Sequence, residues 1–105
     1  MSSPHFEKFL LEAVDEGLAS LGESSKQAIY FHIEKTFNIQ KQEIPNRIEA
    51  FTCAIEKIFG LGATFLESLI LKGLYEKAGL NTKEGSFKDL AFTETVIAVK
   101  RMMEQ

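Results

Sequence analysis

The chain has 105 residues, of which 45% are hydrophobic and 26% charged, and its formal net charge is −3. This length favours one domain spanning residues 1–105, with a core that needs neither disulfides nor metal. The small negative charge argues against broad nucleic-acid binding, because an excess of Lys and Arg is needed to displace counterions from phosphates.

The cysteine content and the N-terminus bear on the compartment. A single Cys leaves no internal disulfide and favours a reducing environment. Residues 1–5 lack the basic start and apolar run of a signal peptide. No apolar run approaches the roughly 18 residues that a membrane-spanning helix needs. The sequence therefore predicts a cytoplasmic protein without a membrane partner.

The first half of the chain predicts two amphipathic helices. Apolar residues recur every three or four positions from Pro4 to Leu21, and Gly22 can end this first helix. A second helix is expected from Ser25 to Phe37, with Ser24 and Gln27 as its capping box. Asn38 is the expected stop of the second helix.

A connector and a third helix follow. The connector at 39–44 has an isoleucine at each end, which predicts that it lies on the bundle rather than in solvent. The third helix is expected from Arg47 to Phe59, with Asn46 and Glu49 as a cap pair.

The most apolar stretch, about 61–79, predicts the central helix of the bundle. Gly60 and Gly62 separate it from the third helix, and Gly79 with Leu80 is typical of a Schellman ending. At 100° per residue its apolar side chains spread over an arc of roughly 200°, wider than a surface helix needs. The fold class predicted is therefore all-α, a compact bundle of about five helices around this central helix.

The last helix is expected from Phe87 to Met103, capped by Ser86 and Asp89. Its β-branched run at 95–99 leaves open a short strand or a break near Thr93, but a lone strand would have no partner.

Several segments together resemble a small archaeal domain family, one of the Nitrosopumilus output domains. The resemblance covers roughly residues 10–80 and is carried by the segments at 29–34, 43–45, 51–63 and 71–77. It implies an all-helical module in archaeal signalling or gene regulation, and it transfers no catalytic residue. The last helix has no counterpart in that resemblance.

Three polar residues on or beside apolar faces are candidates for a ligand pocket between helices: Glu67, His32 and Tyr75. A buried Glu67 carboxylate would have a raised pKa, which suits an acid, base or ligand contact. The alternative is that Glu67 lies at the rim of the bundle, near a helix N-terminus. His32 is equally explained as a boundary histidine, and the polar strip that includes Tyr75 as the face left to water.

Two apolar stripes on the last helix predict a surface for a second protein, because one helix needs only one buried face to join its own bundle. Phe31 points away from the inner stripe of the second helix and is assigned to the same contact. The alternative is full burial within one chain. The first stripe consists of Phe92, Val96, Val99 and Met103.

The sequence shows no nucleophile–base pair and no metal-ligand spacing, so we expect no catalysis, no cofactor and no metal. The function expected is a regulatory or protein-interaction module that self-associates through the C-terminal helix. Its partner would be a second copy or another regulatory protein. The alternative is a domain that senses a small molecule in an interhelical pocket.

Overall fold

The computed structural model describes residues 4–80 and 91–104, and these ranges contain five α-helices. The helices follow the apolar spacing of the sequence. No residue in these two ranges is in a strand, which confirms the all-α fold. Two 3₁₀-helices, Lys41–Asn46 and Gly60–Gly62, join the second helix to the third and the third to the fourth. The helices are α1 (Pro4–Ala19), α2 (Glu23–Phe37), α3 (Ile48–Phe59), α4 (Ala63–Ala78) and α5 (Phe92–Met103).

Helix α4 has the wide apolar arc that the sequence predicts, and it packs against α1, α3 and α5. Four of its side chains are buried, the rest of the arc is half-buried, and Thr64, Ser68, Lys72 and Glu76 face solvent. Its Schellman ending is confirmed, since Gly79 has φ +75° and the Leu80 N–H donates to the Tyr75 carbonyl at 2.9 Å. The buried residues are Ala63, Leu66, Ile70 and Leu74.

Helices α1 and α4 pack side by side in antiparallel directions, and glycines let them approach closely. A Cβ atom at Gly17 would lie 3.0 Å from Cγ1 of Ile70, and one at Gly73 would lie 3.4 Å from Cβ of Ala13. At the edge of this contact, Lys77 donates a hydrogen bond to Glu16 at 2.8 Å. The α1–α4 contact is therefore apolar and tight, with an ion pair at its border.

Helix α2 is fixed to the bundle by much less apolar surface. Only Ile33 among its 15 residues is buried. The helix starts at Glu23, because Gly22, at φ +109°, acts as its N-cap and accepts a hydrogen bond from the Lys26 N–H at 2.9 Å. The expected capping box at Ser24 and Gln27 is therefore wrong. Asn38 ends α2 in the left-handed conformation, as predicted.

The connector after α2 lies on the bundle, as predicted, with Ile39 and Ile44 buried at its two ends. The last four residues of the connector, together with Pro45 and Asn46, form the 3₁₀-helix Lys41–Asn46. Helix α3 consequently begins at Ile48 with Arg47 as its N-cap and without a side-chain cap. The predicted cap pair of Asn46 and Glu49 is therefore wrong.

Helix α5 continues without a break through Thr93 and through the β-branched run. It packs against α3 and α4, and this packing outweighs the weak helix propensity of Val, Ile and Thr. The Thr93 hydroxyl donates to the Thr52 hydroxyl on α3 at 2.9 Å. Helix α5 begins at Phe92, with Ala91 extended at ψ 161° as its N-cap, so the prediction that the helix already includes Ala91 is wrong. The predicted start at Phe87 and the predicted cap at Ser86 and Asp89 lie outside the described residues.

Candidate functional site

Glu67 lies on α4, half-buried, with its Oε2 atom fully buried and without a hydrogen-bond partner among the described residues. Burial raises the pKa of its carboxyl, and the negative charge of Glu56 on α3 raises the pKa further. Glu67 therefore keeps its proton to a higher pH than an ordinary glutamate.

His32 does not join Glu67 in a common pocket. Its side chain is exposed on α2, where Nδ1 lies 3.5 Å from the Thr36 hydroxyl and the ring centre lies 5.9 Å from that of Phe37 in a T-shaped arrangement. Helix α2 packs mainly against α1 and α3, whereas Glu67 is on α4.

Tyr75 is also on α4, half-buried, and burial raises the pKa of its phenol. It is eight residues from Glu67, a rise of about 12 Å along a helix. The three residues therefore do not form a compact cluster, since His32 is exposed on α2 and the other two are on α4. A role for Glu67, His32 or Tyr75 in an interhelical pocket stays a prediction.

The first apolar stripe of α5 faces the core of its own chain. Phe92, Val96 and Val99 are 7%, 1% and 0% exposed. The prediction that these three residues form a surface for a second chain is therefore wrong, because α3 and α4 already cover them. Met103 is half-buried and packs against the core.

Phe31 is on the outward face of α2, 62% exposed. The Lys35 ammonium lies 5.6 Å from the centre of its ring. The exposure agrees with the prediction that Phe31 points away from the inner stripe of α2. Its role in a contact with another protein stays a prediction.

An exposed apolar pair that the sequence did not predict lies where α3 turns into α4. Leu61 is 100% exposed and Phe65 is 66% exposed. Leu61 belongs to the 3₁₀-helix Gly60–Gly62, and Phe65 to the first turn of α4. The sequence does contain a signal for this exposure, since both residues fall outside the apolar arc of α4.

A charged cluster that the sequence did not predict joins α1, α2 and the connector. Asp15 accepts hydrogen bonds from Lys26, Tyr30 and Lys41, each at 3.1 Å. The Lys41 ammonium also lies 5.2 Å from the centre of the Tyr30 ring. We name these four residues the Asp15 cluster. The inward position of Tyr30 was a usable signal, because a buried tyrosine hydroxyl needs a partner.

The Asp15 cluster shifts the pKa values of its members in opposite directions. Partial burial alone would raise the pKa of Asp15, but the hydrogen bonds from Lys26, Lys41 and Tyr30 outweigh it and lower the pKa. Burial and the Asp15 charge raise the pKa of Tyr30 far above its ordinary value. The cluster therefore holds an ionised carboxylate against a neutral phenol and two cations.

A cavity of about 330 Å³ opens between the start of α1, the 3₁₀-helix Lys41–Asn46, the start of α3 and the end of α5. Its lining is mixed, because buried apolar side chains lie beside polar and charged ones, and the basic side chains belong to α5. Its volume lies at the lower end of the range typical of small-molecule sites. The lining residues are Phe6, Pro45, Asn46, Ile48, Val96, Ile97, Lys100, Arg101 and Glu104.

The described residues contain neither a group of metal ligands nor a helix able to span a membrane. No group of three or more His, Cys, Asp or Glu side chains is placed to hold a metal ion. None of the helices within 4–80 and 91–104 combines the length and the hydrophobicity that crossing a bilayer requires.

No family model, curated protein or solved structure matches this chain. The resemblance to an archaeal output domain therefore stays a prediction.

Proposed function

We propose that this chain is a non-catalytic protein-interaction module, which associates with a second copy of itself through the turn between α3 and α4. The regulatory setting comes from the resemblance to an output domain. The observation that carries the proposal is the exposed pair Leu61 and Phe65, which replaces the α5 stripe as the contact surface.

The two side chains are exposed at the same end of α4. Leu61 is in the 3₁₀-helix before α4 and Phe65 is four residues further on, in the first turn of α4; within an α-helix this spacing would place two side chains on one side. Single exposed apolar residues are ordinary in folded proteins, whereas adjacent large ones are typical of contact sites. Burying each of them in a contact is worth about 1.5–3 kcal/mol.

The surroundings of the pair favour a second copy as the partner. Gly60, Gly62, Thr64 and Ser68 carry no charge, and all four are exposed. In a two-fold contact each surface meets its own copy. At these four positions no like charges would face one another, so this part of the surface is compatible with its own copy.

The size of the pair sets the expected strength. Stable complexes bury about 800 Å² on each partner, which is a substantial part of the 6399 Å² accessible surface of the chain. Two side chains supply only the centre of such a contact. We therefore expect a weak, concentration-dependent dimer, because the losses on association consume much of the gain from burial.

The test is sedimentation equilibrium over micromolar to millimolar concentrations, with wild type and the double variant Leu61→Ser, Phe65→Ser. We expect the wild-type mass to rise from one chain towards two, and the double variant to remain at one. Both residues are exposed, so the double variant should fold, as its circular dichroism would show.

The matched control is Phe31→Ser, which removes an equally exposed phenylalanine from α2 and should leave dimerisation unchanged. If only the Phe31 variant lost the dimer, the contact would lie on α2. A wild-type mass of one chain at every concentration would contradict self-association.

A further inference from the structure

The cavity between α1, the 3₁₀-helix Lys41–Asn46, α3 and α5 has an apolar floor. Phe6, Ile48 and Val96 line it and are 1%, 8% and 1% exposed. Pro45, also buried, adds to the same floor. These side chains come from three distant parts of the sequence, near residues 6, 45–48 and 96, so the cavity is a product of the tertiary fold. An apolar floor favours a ligand with an apolar body.

Two cations stand at the mouth. Lys100 is one turn beyond Val96 on α5, and Arg101 is one turn beyond Ile97. Neither forms an ion pair with any carboxylate in the described residues, in contrast to Lys26, Lys41 and Lys77. Both cations are in the last turn of α5, where the helix dipole stabilises a positive charge. The dipole does not provide either cation with a carboxylate partner.

The charge at the mouth indicates the charge of the ligand. Glu104 also lines the cavity, so Lys100, Arg101 and Glu104 together leave one net positive charge. The start of α3, which has no side-chain cap, borders the cavity through Ile48 and adds partial positive charge. A single carboxylate matches this excess, whereas a doubly charged phosphate exceeds it.

From the apolar floor, the unpaired cations and the charge balance, we propose that this cavity binds a small organic monocarboxylate. The apolar body of the ligand lies on Phe6, Ile48 and Val96. Its carboxylate accepts hydrogen bonds from Lys100 and Arg101, and the planar guanidinium can supply two of them.

This inference is independent of the proposed dimer. The cavity lies at the start of α3, and Leu61 follows its end. The 12 residues of α3 separate the two places by about 18 Å. A ligand could therefore bind the monomer, and a dimer could form without a ligand.

The test uses phenylacetate as the probe, followed by nuclear magnetic resonance of the methyl groups of Val96 and Ile48. We expect saturable shifts at these methyl groups. Phenylacetamide has the same shape without the charge and should bind about tenfold more weakly or worse, since a charge-assisted hydrogen bond is lost. Inorganic phosphate, which has no apolar body, should leave the methyl signals of Val96 and Ile48 unshifted.

The variants are Lys100→Gln with Arg101→Gln, at the edge of the cavity, and Lys57→Gln as a control on the exposed face of α3. The double variant should weaken phenylacetate binding by about tenfold or more, while the Lys57 variant binds like wild type. Absence of saturable shifts, equal binding of phenylacetamide, or unchanged binding by the double variant would each overturn the proposal.

Discussion

Helices α4 and α2 are of similar length, but different interactions hold them in the bundle. Helix α4 buries four residues, and two glycines bring it close to α1. Helix α2 buries only Ile33 and depends on the hydrogen bonds that Asp15 receives from Lys26 and Tyr30. Apolar contacts do not depend on pH, whereas a carboxylate cluster does. We infer that α2 opens more easily than the α1–α4 contact.

The largest effect that we expect is a loss of stability of the whole bundle. Ile70→Ala removes a residue at the centre of the α1–α4 contact and should lower the free energy of unfolding by about 2–5 kcal/mol. The protection of amides in every helix should fall together, which native-state hydrogen exchange would measure.

Ile33→Ala is the matched variant on α2, because Ile33 is 1% exposed and Ile70 0%. Its effect should be confined mostly to α2 amides, since a helix that opens by itself does not transmit the full loss to the others. Equal loss of protection throughout the bundle in both variants would show that α2 and the α1–α4 contact unfold as one unit.

A smaller effect should follow from the Asp15 cluster. Asp15→Asn keeps the size of the side chain but loses the charge that Lys26 and Lys41 contact. With partial solvent exposure taken into account, the cost should be about 1–2 kcal/mol. Native-state hydrogen exchange should show this loss of stability in the amides of α2. The matched control is Glu16→Gln, which affects Lys77 on α4 and should leave α2 unchanged.

The pH dependence of the Asp15 contribution has a defined sign. The pKa of Asp15 is lower in the folded protein than in the unfolded chain, so the ionised form favours folding. The contribution is complete above the unfolded pKa of about 3.9 and disappears as the pH falls through the folded value. The difference between wild type and Asp15→Asn should vanish in acid. A constant difference down to the lowest pH would show that charge is not its source.

The smallest effect that we expect is a difference in stability between the alanine variants of the two glycines in the α1–α4 contact. Alanine exceeds glycine in helix propensity by about 1 kcal/mol. Gly73→Ala should keep part of this gain, because its methyl group would lie at an ordinary 3.4 Å from Ala13. Gly17→Ala places a methyl group 3.0 Å from Ile70, which must move, so the gain should be cancelled. Thermal unfolding of both variants would give the order, and equal stabilities would show that the contact is looser than its geometry.

Local features were predictable from the sequence because their causes are local. Asn38 and Gly79 adopt left-handed conformations where the apolar patterns end. Ile39 and Ile44 are buried where two apolar residues punctuate a polar connector. The start of α3 was predicted wrongly, since the connector formed a 3₁₀-helix that includes Asn46. A cap signal in sequence is ambiguous when two short elements compete for the same residue.

The candidate sites were less predictable because each depends on which helices meet. The stripe at Phe92, Val96 and Val99 has the same spacing whether another chain or its own bundle covers it. Only the packing of α5 against α3 and α4 assigns it to the core. Conversely, the exposure of Leu61 and Phe65 depends on the course of the chain after α3.

By itself, the amino-acid sequence determined an all-α bundle, the central position of α4 and the C-terminal ends of α2, α3 and α4, since periodicity and terminal residues act over a few positions. The tertiary structure decided which polar and apolar groups come together. It joins position 15 to positions 26, 30 and 41 and brings Phe6, Ile48 and Val96 around one cavity. The physical reason is that these contacts arise from the relative placement of whole helices, which no local pattern encodes.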